Sequence, residues 1–296
     1  MIKLISIKRF EILLFLIFIG GFFYAKDYGI TWDEDWHRIK GQENLAYIAK
    51  TFNLDKILNI SEPIGNSNIV FYGYGAFFDS ICGVIEQALG IQNKASIFIM
   101  RHRVNFTFYM IGIYAFFLFL KSIMKSRNIA FISTMFLLLH PRLLAHGFFN
   151  NKDSIAQAIL SCALLPIFLT YKKSLTKYAI VTGVICGLAI STRLPTIFLP
   201  CIFLLLLLTQ DYNQKKQLCI SRSSINLAGY YILSLIVSTY IIWPALWANP
   251  IVSIQYIFER MSHHPWLGIN YFMGNFIRGD QIPWHYIPVW IIITTP

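Results

Sequence analysis

FEILLFLIFIGGFFYAKDYGITWDEDWH, residues 10–37, decides the fold: an apolar run from Phe10 to Ala25 gives way to three adjacent acids, Asp33, Glu34 and Asp35. Lys3, Lys8 and Arg9 precede the run, an arrangement shared by secretory signals and first membrane spans. Cleavage after Ala25 would leave bulky Phe23 three residues before the cut, where a small side chain is required, so the run reads as an uncleaved first span. The basic N-terminus then marks the cytoplasmic side, and the acids the far side.

Composition agrees. Of 296 residues 56% are hydrophobic and 13% charged, against about 25% charged in soluble domains, and the mean hydropathy is +0.56. A water-soluble globule is excluded. The net charge of +11 does not point to nucleic acid, because the basic residues sit between apolar runs and form no hydrated stripe. Five cysteines, Cys82, Cys162, Cys186, Cys201 and Cys219, are an odd number without CxxC spacing, so neither a disulfide framework nor a zinc motif is expected.

Further apolar runs lie at Val104–Leu120, Asn128–His140, Ser154–Thr170, Tyr178–Ile190, Pro195–Thr209, Ile225–Trp243 and from Pro283 onward, giving eight candidate spans. Several fall short of the roughly 20 residues of a straight crossing, which tilt or local thinning can accommodate; Asn128–His140 and Tyr178–Ile190 are also short enough to be re-entrant. The connections KSIMKSR (121–127), YKKSLTK (171–177) and the segment with Lys215, Lys216 and Arg222 are basic, and of the acids only Glu11 and Asp211 share their side. Basic loops stay in the cytoplasm, so this alternation supports all eight spans in a plasma membrane.

The outer side then holds residues 26–103, 140–153 and 244–282. The first is expected to carry short interfacial helices, in DWHRIKGQENLAYIAK (35–50) and VFYGYGAFFDSICGVIEQAL (70–89). The chain reads as one all-α transmembrane domain over 1–296. It ends inside an apolar run, where a free carboxylate would meet hydrocarbon, so truncation, and with it an inactive fragment, is an expectation.

Three adjacent carboxylates at a membrane boundary repel one another and favour retention of a proton, which suits a general base. Read plainly, they are a solvated acidic turn, although Trp32 and Trp36 would seat that turn at the interface. HPRLLAHGFFNNKD (140–153) gathers His140, Arg142, His146, Asn150, Asn151, Lys152 and Asp153 between two spans; its plain reading is a helix start with Asp153 in the first turn. The two histidines lack the i, i+4 spacing of a helical zinc pair.

Arg101 and Arg103, opening the second span, and Arg193 in STRLP stand where an anion could be held, or where lipid anchors sit. WPALWANP (243–250), SHHPWLG (262–268) and IPWHY (282–286) are rich in Trp, Pro and His, and His263 and His264 join His140 and His146 as candidates for an acceptor or a metal.

This ensemble resembles the GT-C fold glycosyltransferases: an Asp-Glu turn after the first span, a long outer first loop, basic residues heading the second span and an Asn/Lys/Asp turn before the fourth. The nearest likeness is to glycosyltransferase family 39, the protein O-mannosyltransferase and aminoarabinose transferase type, from TWDEDWH through HPRLLAHGFFNNKD to HPWLG and PWHYIPVW. The resemblance implies a multi-span helical bundle that moves a sugar from a polyprenyl-phosphate donor to a protein, lipid or glycan on the outer face, with inversion.

It also implies Asp33 as base, Glu34 as the second acid, Asp153 as the acid before the fourth span, and Arg101 or Arg103, with Lys152 and Arg193, at the donor phosphate. It makes no cofactor certain and is compatible with a divalent metal; the partners implied are the lipid donor and membrane lipid, and no nucleic acid. The rival readings are a transporter or flippase, which would bury ionisable groups at mid-membrane in repeated halves, and a non-catalytic component of polysaccharide export. No repeat is present in the sequence.

Overall fold

The computed structural model describes residues 2–54, 75, 77–215, 220–262 and 268–294. All eight apolar runs lie in helices: α1 (Ile2–Tyr24), α4 (Lys94–Ile123), α5 (Arg127–Leu138), α7 (Asp153–Lys173), α8 (Thr176–Thr192), α9 (Phe198–Lys215), α10 (Arg222–Ile242) and α12 (Tyr286–Thr294). Both helices expected in the first outer segment are present, α2 (Glu34–Thr51) and α3 (Phe77–Ala88). The remaining elements are α6 (Pro141–Phe149), α11 (Pro250–Ser262) and an antiparallel hairpin of β1 (Ile269–Phe272) and β2 (Asn275–Arg278). The chain is an all-α membrane protein, with one small hairpin among the described residues.

Four helical stretches are long and apolar enough to cross a bilayer unaided, α4, α7, Leu194–Tyr212 and α10, and a fifth arises if α5 and α6 form one bent span. The expectation of eight spans is met by length and composition in four or five. Of the others, α8 has 17 residues, α12 has nine, and α1 carries Lys3, Lys8, Arg9 and Glu11 in its first half. The break between α5 and α6 bends the chain by 65°. It falls at His140-Pro141, where proline turns the preceding residue away from helical geometry: His140 is extended, at φ −60° and ψ 117°. The outer segment read between the two spans is therefore in large part a short helix, Pro141–Phe149, with His140 as its N-cap.

The bundle is built on α4, α7, α8 and α10, each packed on the next. Gly183 and Gly187 of α8, four apart, lie so close to Ser234 and Ser238 of α10 that a Cβ would come within 2.0 Å of either hydroxyl. Small residues at i and i+4 let two backbones approach and pack without a hydrophobic driving force. On the other flank α1 packs against α4 and α5 through Phe10, Phe117 and Phe131. Tyr28, Phe148 and Phe106 stack in series, with ring centroids 4.5 Å apart at each step. Leu233, Ile236 and Ile241 of α10 and Phe136 of α5 are exposed, as a surface bathed in lipid requires.

Candidate active site

Asp33 and Glu34 open α2 and part company at once, since successive helical residues point about 100° apart. Glu34 is 3% exposed and turns inward. It accepts from the Thr31 backbone N–H at 2.6 Å and from the Thr31 hydroxyl at 3.0 Å, and meets His102 Nε2 at 2.8 Å. Glu34 thereby ties the chain entering α2 to the first residue of the helix, while Asp33, at the N-cap position, makes no side-chain capping bond. The Asp33 carboxylate is freed to project, and Lys152 Nζ donates to it at 3.1 Å.

Lys152 belongs to the tight turn before α7, which Asn150 organises. Its side-chain oxygen accepts the backbone N–H groups of Lys152 at 3.1 Å and Asp153 at 2.8 Å. Its amide nitrogen lies 3.0 Å from Asp153 Oδ2 and 3.1 Å from His146 Nδ1. Asp153 then receives Arg193, the extended residue ending α8, through Nε at 3.0 Å and a second, closer donor. Two acid–base pairs, Asp33–Lys152 and Asp153–Arg193, are joined through consecutive residues of one turn.

Beneath them lies a buried junction. Asp79 of α3 pairs with Arg101 of α4, accepts from Asn151 Nδ2 at 2.9 Å and lies 3.4 Å from His37 Nδ1 of α2. Burial pushes the Asp79 carboxyl up, but Arg101 and His37 outweigh it and hold the group below the ordinary carboxylate range. His37 stays below its ordinary value because burial outweighs the pull of Asp79. Gly41 lets α2 lie directly on α3: a Cβ there would be 2.5 Å from the Asp79 carbonyl oxygen. Arg38 grips Glu86 with both donors of its fork, Nε at 3.0 Å. Asn105 of α4 donates to the carbonyls of His146 at 3.1 Å and Gly147 at 2.8 Å and accepts from Ser154 at 3.1 Å, fixing both sides of the turn.

Of the residues singled out from sequence, Asp33, Lys152, Asp153 and Arg193 come together. Glu34 lies behind them as a buried support. Arg101, expected to face an anion at headgroup depth, is 2% exposed and engaged by Asp79, while Arg103 lies over the Phe22 ring of α1, 5.2 Å from its centroid. His146 contacts the site through Asn150; His140 caps α6, its Nδ1 accepting from the Leu143 N–H at 3.4 Å. His263 and His264 lie outside the described residues. Among the described residues no three His, Cys, Asp or Glu side chains are grouped as metal ligands would be.

Sequence reading passed over Asp79, Glu86, His37, His102 and Asn105. A signal existed: Asp79 and Glu86 are seven apart on an otherwise apolar, aromatic-rich helix, so both face one side and both need buried partners.

The sequence profile of the dolichyl-phosphate-mannose-protein mannosyltransferase family matches residues 92–243, just over half of the chain, from the start of α4 to the end of α10. No curated protein and no solved structure matches the chain.

Proposed function

Since the chain belongs to the dolichyl-phosphate-mannose-protein mannosyltransferase family, with its GT-C type fold, we propose that Asp33 is the general base of its transfer reaction and that Lys152 and Arg193 take the donor phosphate. The family uses a lipid-phosphate sugar donor, and the chain is accordingly a multi-pass membrane glycosyltransferase.

In the proposed reaction an acceptor hydroxyl attacks the anomeric carbon from the face opposite the lipid phosphate and gives its proton to the Asp33 carboxylate. The bond from anomeric carbon to phosphate oxygen breaks, the configuration inverts, and the phosphate leaves with added negative charge. Cations already in place stabilise that charge at small reorganisation cost. A phosphate is a good leaving group, so one base and one cationic clamp suffice where a glycosidase needs two carboxylates. An arriving phosphate competes with Asp33 for Lys152 and releases the base for its proton.

The observation that carries this reading is the contact of Asp33 with Lys152 next to that of Asp153 with Arg193. All four residues stand at helix ends: the N-cap of α2, the N-cap and first residue of α7, and the C-cap of α8. A transporter would set such groups at mid-span. The site belongs on the outer face of the cell membrane, with the N-terminus in the cytoplasm, because the basic connections lie at the opposite helix ends.

The test is consumption of labelled dolichyl-phosphate mannose and dolichyl-phosphate glucose by membranes carrying the chain or its Asp33→Asn variant. Loss of turnover at an equal protein level supports the reading; equal turnover in both removes Asp33 from the chemistry.

A further inference from the structure

Helix α2 has two faces of opposite character. Glu34, His37, Arg38, Gly41 and Leu45 pack inward, against α3 through Asp79, Glu86 and Gly83 and against α4 through His102. The other face carries Asp33, Trp36, Lys40, Glu43 and Tyr47, spaced three and four apart, which aligns them in one stripe along the helix. Opposite the stripe stands the third outer segment: the turn Pro244–Leu246 contacts α2, and the Trp247 ring lies 6.0 Å from that of Tyr47.

Glu43 is the anomaly on this stripe. It is 6% exposed, yet neither carboxylate oxygen has a hydrogen-bond partner. Burial raises its pKa and the charge of Lys40 lowers it, the rise prevailing. Lys40 in turn feels Lys152, Asp79, Asp33 and Glu43, so it sits among the charges of the candidate active site. A buried carboxylate whose lone pairs go unmet is destabilising, and a position that keeps one calls for an explanation outside the resting fold.

We infer that Glu43 binds the hydroxyl groups of the transferred sugar, with Trp36 as the platform for the ring; the inference rests on the transferase reading above. A carboxylate accepts only, and its two oxygens match two hydroxyls on adjacent ring carbons. Trp36, 57% exposed, offers a flat apolar face two turns before Glu43 on the same stripe, suited to the C–H face of a pyranose. The spacing fits. Asp33 and Glu43 are ten residues apart, about 15 Å along the helix axis. The hexose and the acceptor hydroxyl that attacks it fit within that length, with a hydrogen bond of about 2.8 Å at each end. Lys40 stands between them on the same stripe.

The test measures equilibrium binding to the detergent-solubilised full chain of two lipids, dolichyl-phosphate mannose and dolichyl phosphate. In the wild type the sugar-bearing lipid is expected to bind about tenfold more tightly. Glu43→Gln, which keeps size and removes the charge, is expected to abolish that difference while leaving dolichyl phosphate affinity unchanged, which also reports a folded protein. Glu43→Ala is expected to do the same, and Trp36→Leu to weaken only the sugar-bearing lipid. A preference for mannose-bearing lipid that survives Glu43→Gln overturns the role of Glu43. If the wild type binds neither lipid, the transferase reading fails and this inference with it.

Discussion

Asp33 and Glu34, neighbours in the chain, are put to opposite uses: the Asp33 side chain is 59% exposed and held by Lys152, whereas Glu34 is 3% exposed and sealed against His102. One acidic turn thus supplies both an exposed carboxylate, the proposed base, and a buried one that anchors the start of α2. Asp33→Asn is expected to lower turnover about 10²–10⁴-fold with little change in thermal stability, because an exposed ion pair contributes about 0–1 kcal/mol. Glu34→Gln is expected to cost about 1–3 kcal/mol of stability. Turnover assays beside thermal unfolding in detergent separate the two, and an Asp33 variant that unfolds early while Glu34→Gln does not would reverse the assignment.

Lys152→Ala and Arg193→Ala are expected to raise the KM for the lipid donor about tenfold each, roughly the loss of one charge-assisted hydrogen bond to phosphate. Their effects should shrink when added salt screens the site. Donor titrations at two ionic strengths check this; a change confined to acceptor KM would place these cations elsewhere in the reaction.

The junction at Asp79 predicts a large stability effect without contact with substrate. Removing one partner of a buried pair strands the other, at about 3–5 kcal/mol, so Asp79→Ala should lower the melting temperature far more than the exposed Asp35→Ala, which loses only its surface contact with Lys94 at 2.9 Å. Replacing Asp79 and Arg101 together by Leu and Met should cost less than the sum of the single changes, as measured in a double-mutant cycle.

Acid should loosen the same junction. The His37 pKa lies below its ordinary 6.5 because burial disfavours the charged ring, with Lys152 and Lys40 adding to that effect and Asp79 opposing it. The unfolded chain therefore takes up a proton that the folded chain resists, and stability is lost as the pH falls below about 6.5 toward the lower folded-state value. Asp79, held below its ordinary 3.8, loses its contribution in the same direction at still lower pH. His37→Gln should flatten the first part of the decline in a plot of melting temperature against pH; an unchanged slope would mean that another group governs it.

The α8–α10 contact offers a check on packing alone. Gly187→Val would drive a methyl group into Ser238 Oγ and the Leu235 carbonyl, which by the usual cost of overpacking is destabilising by about 1–3 kcal/mol. Donor affinity should stay unchanged in the fraction that remains folded.

Much of this architecture was legible in the sequence, and the reasons are specific. Hydrocarbon admits only backbone that satisfies its own hydrogen bonds, so each apolar run had to be helix. The Asn/Lys/Asp turn announced a helix start, which α7 makes at Asp153. The span count was less legible, because hydropathy does not reveal that Pro141 would fold 140–149 into a second helix across a 65° bend. For the site, residue type showed which groups could react but not which way they point. Arg101 and Arg103, two apart on α4, read alike; one lies in the junction with Asp79 and the other over Phe22. Glu34 and Asp33 read alike too, and only the packing of α2 on α3 and α4 divides them.

The Asp79 junction also sets an order on biosynthesis. Asn151, the last of its members to be made, lies 72 residues downstream of Asp79. At about 5–20 residues per second the ribosome needs several seconds to deliver it. During that interval α2 and α3 are already synthesised while the turn that locks them does not yet exist. The nascent chain must therefore shelter a carboxylate and a guanidinium that only later gain their full set of partners, and maturation of this region is a late event gated by arrival of the seventh helix.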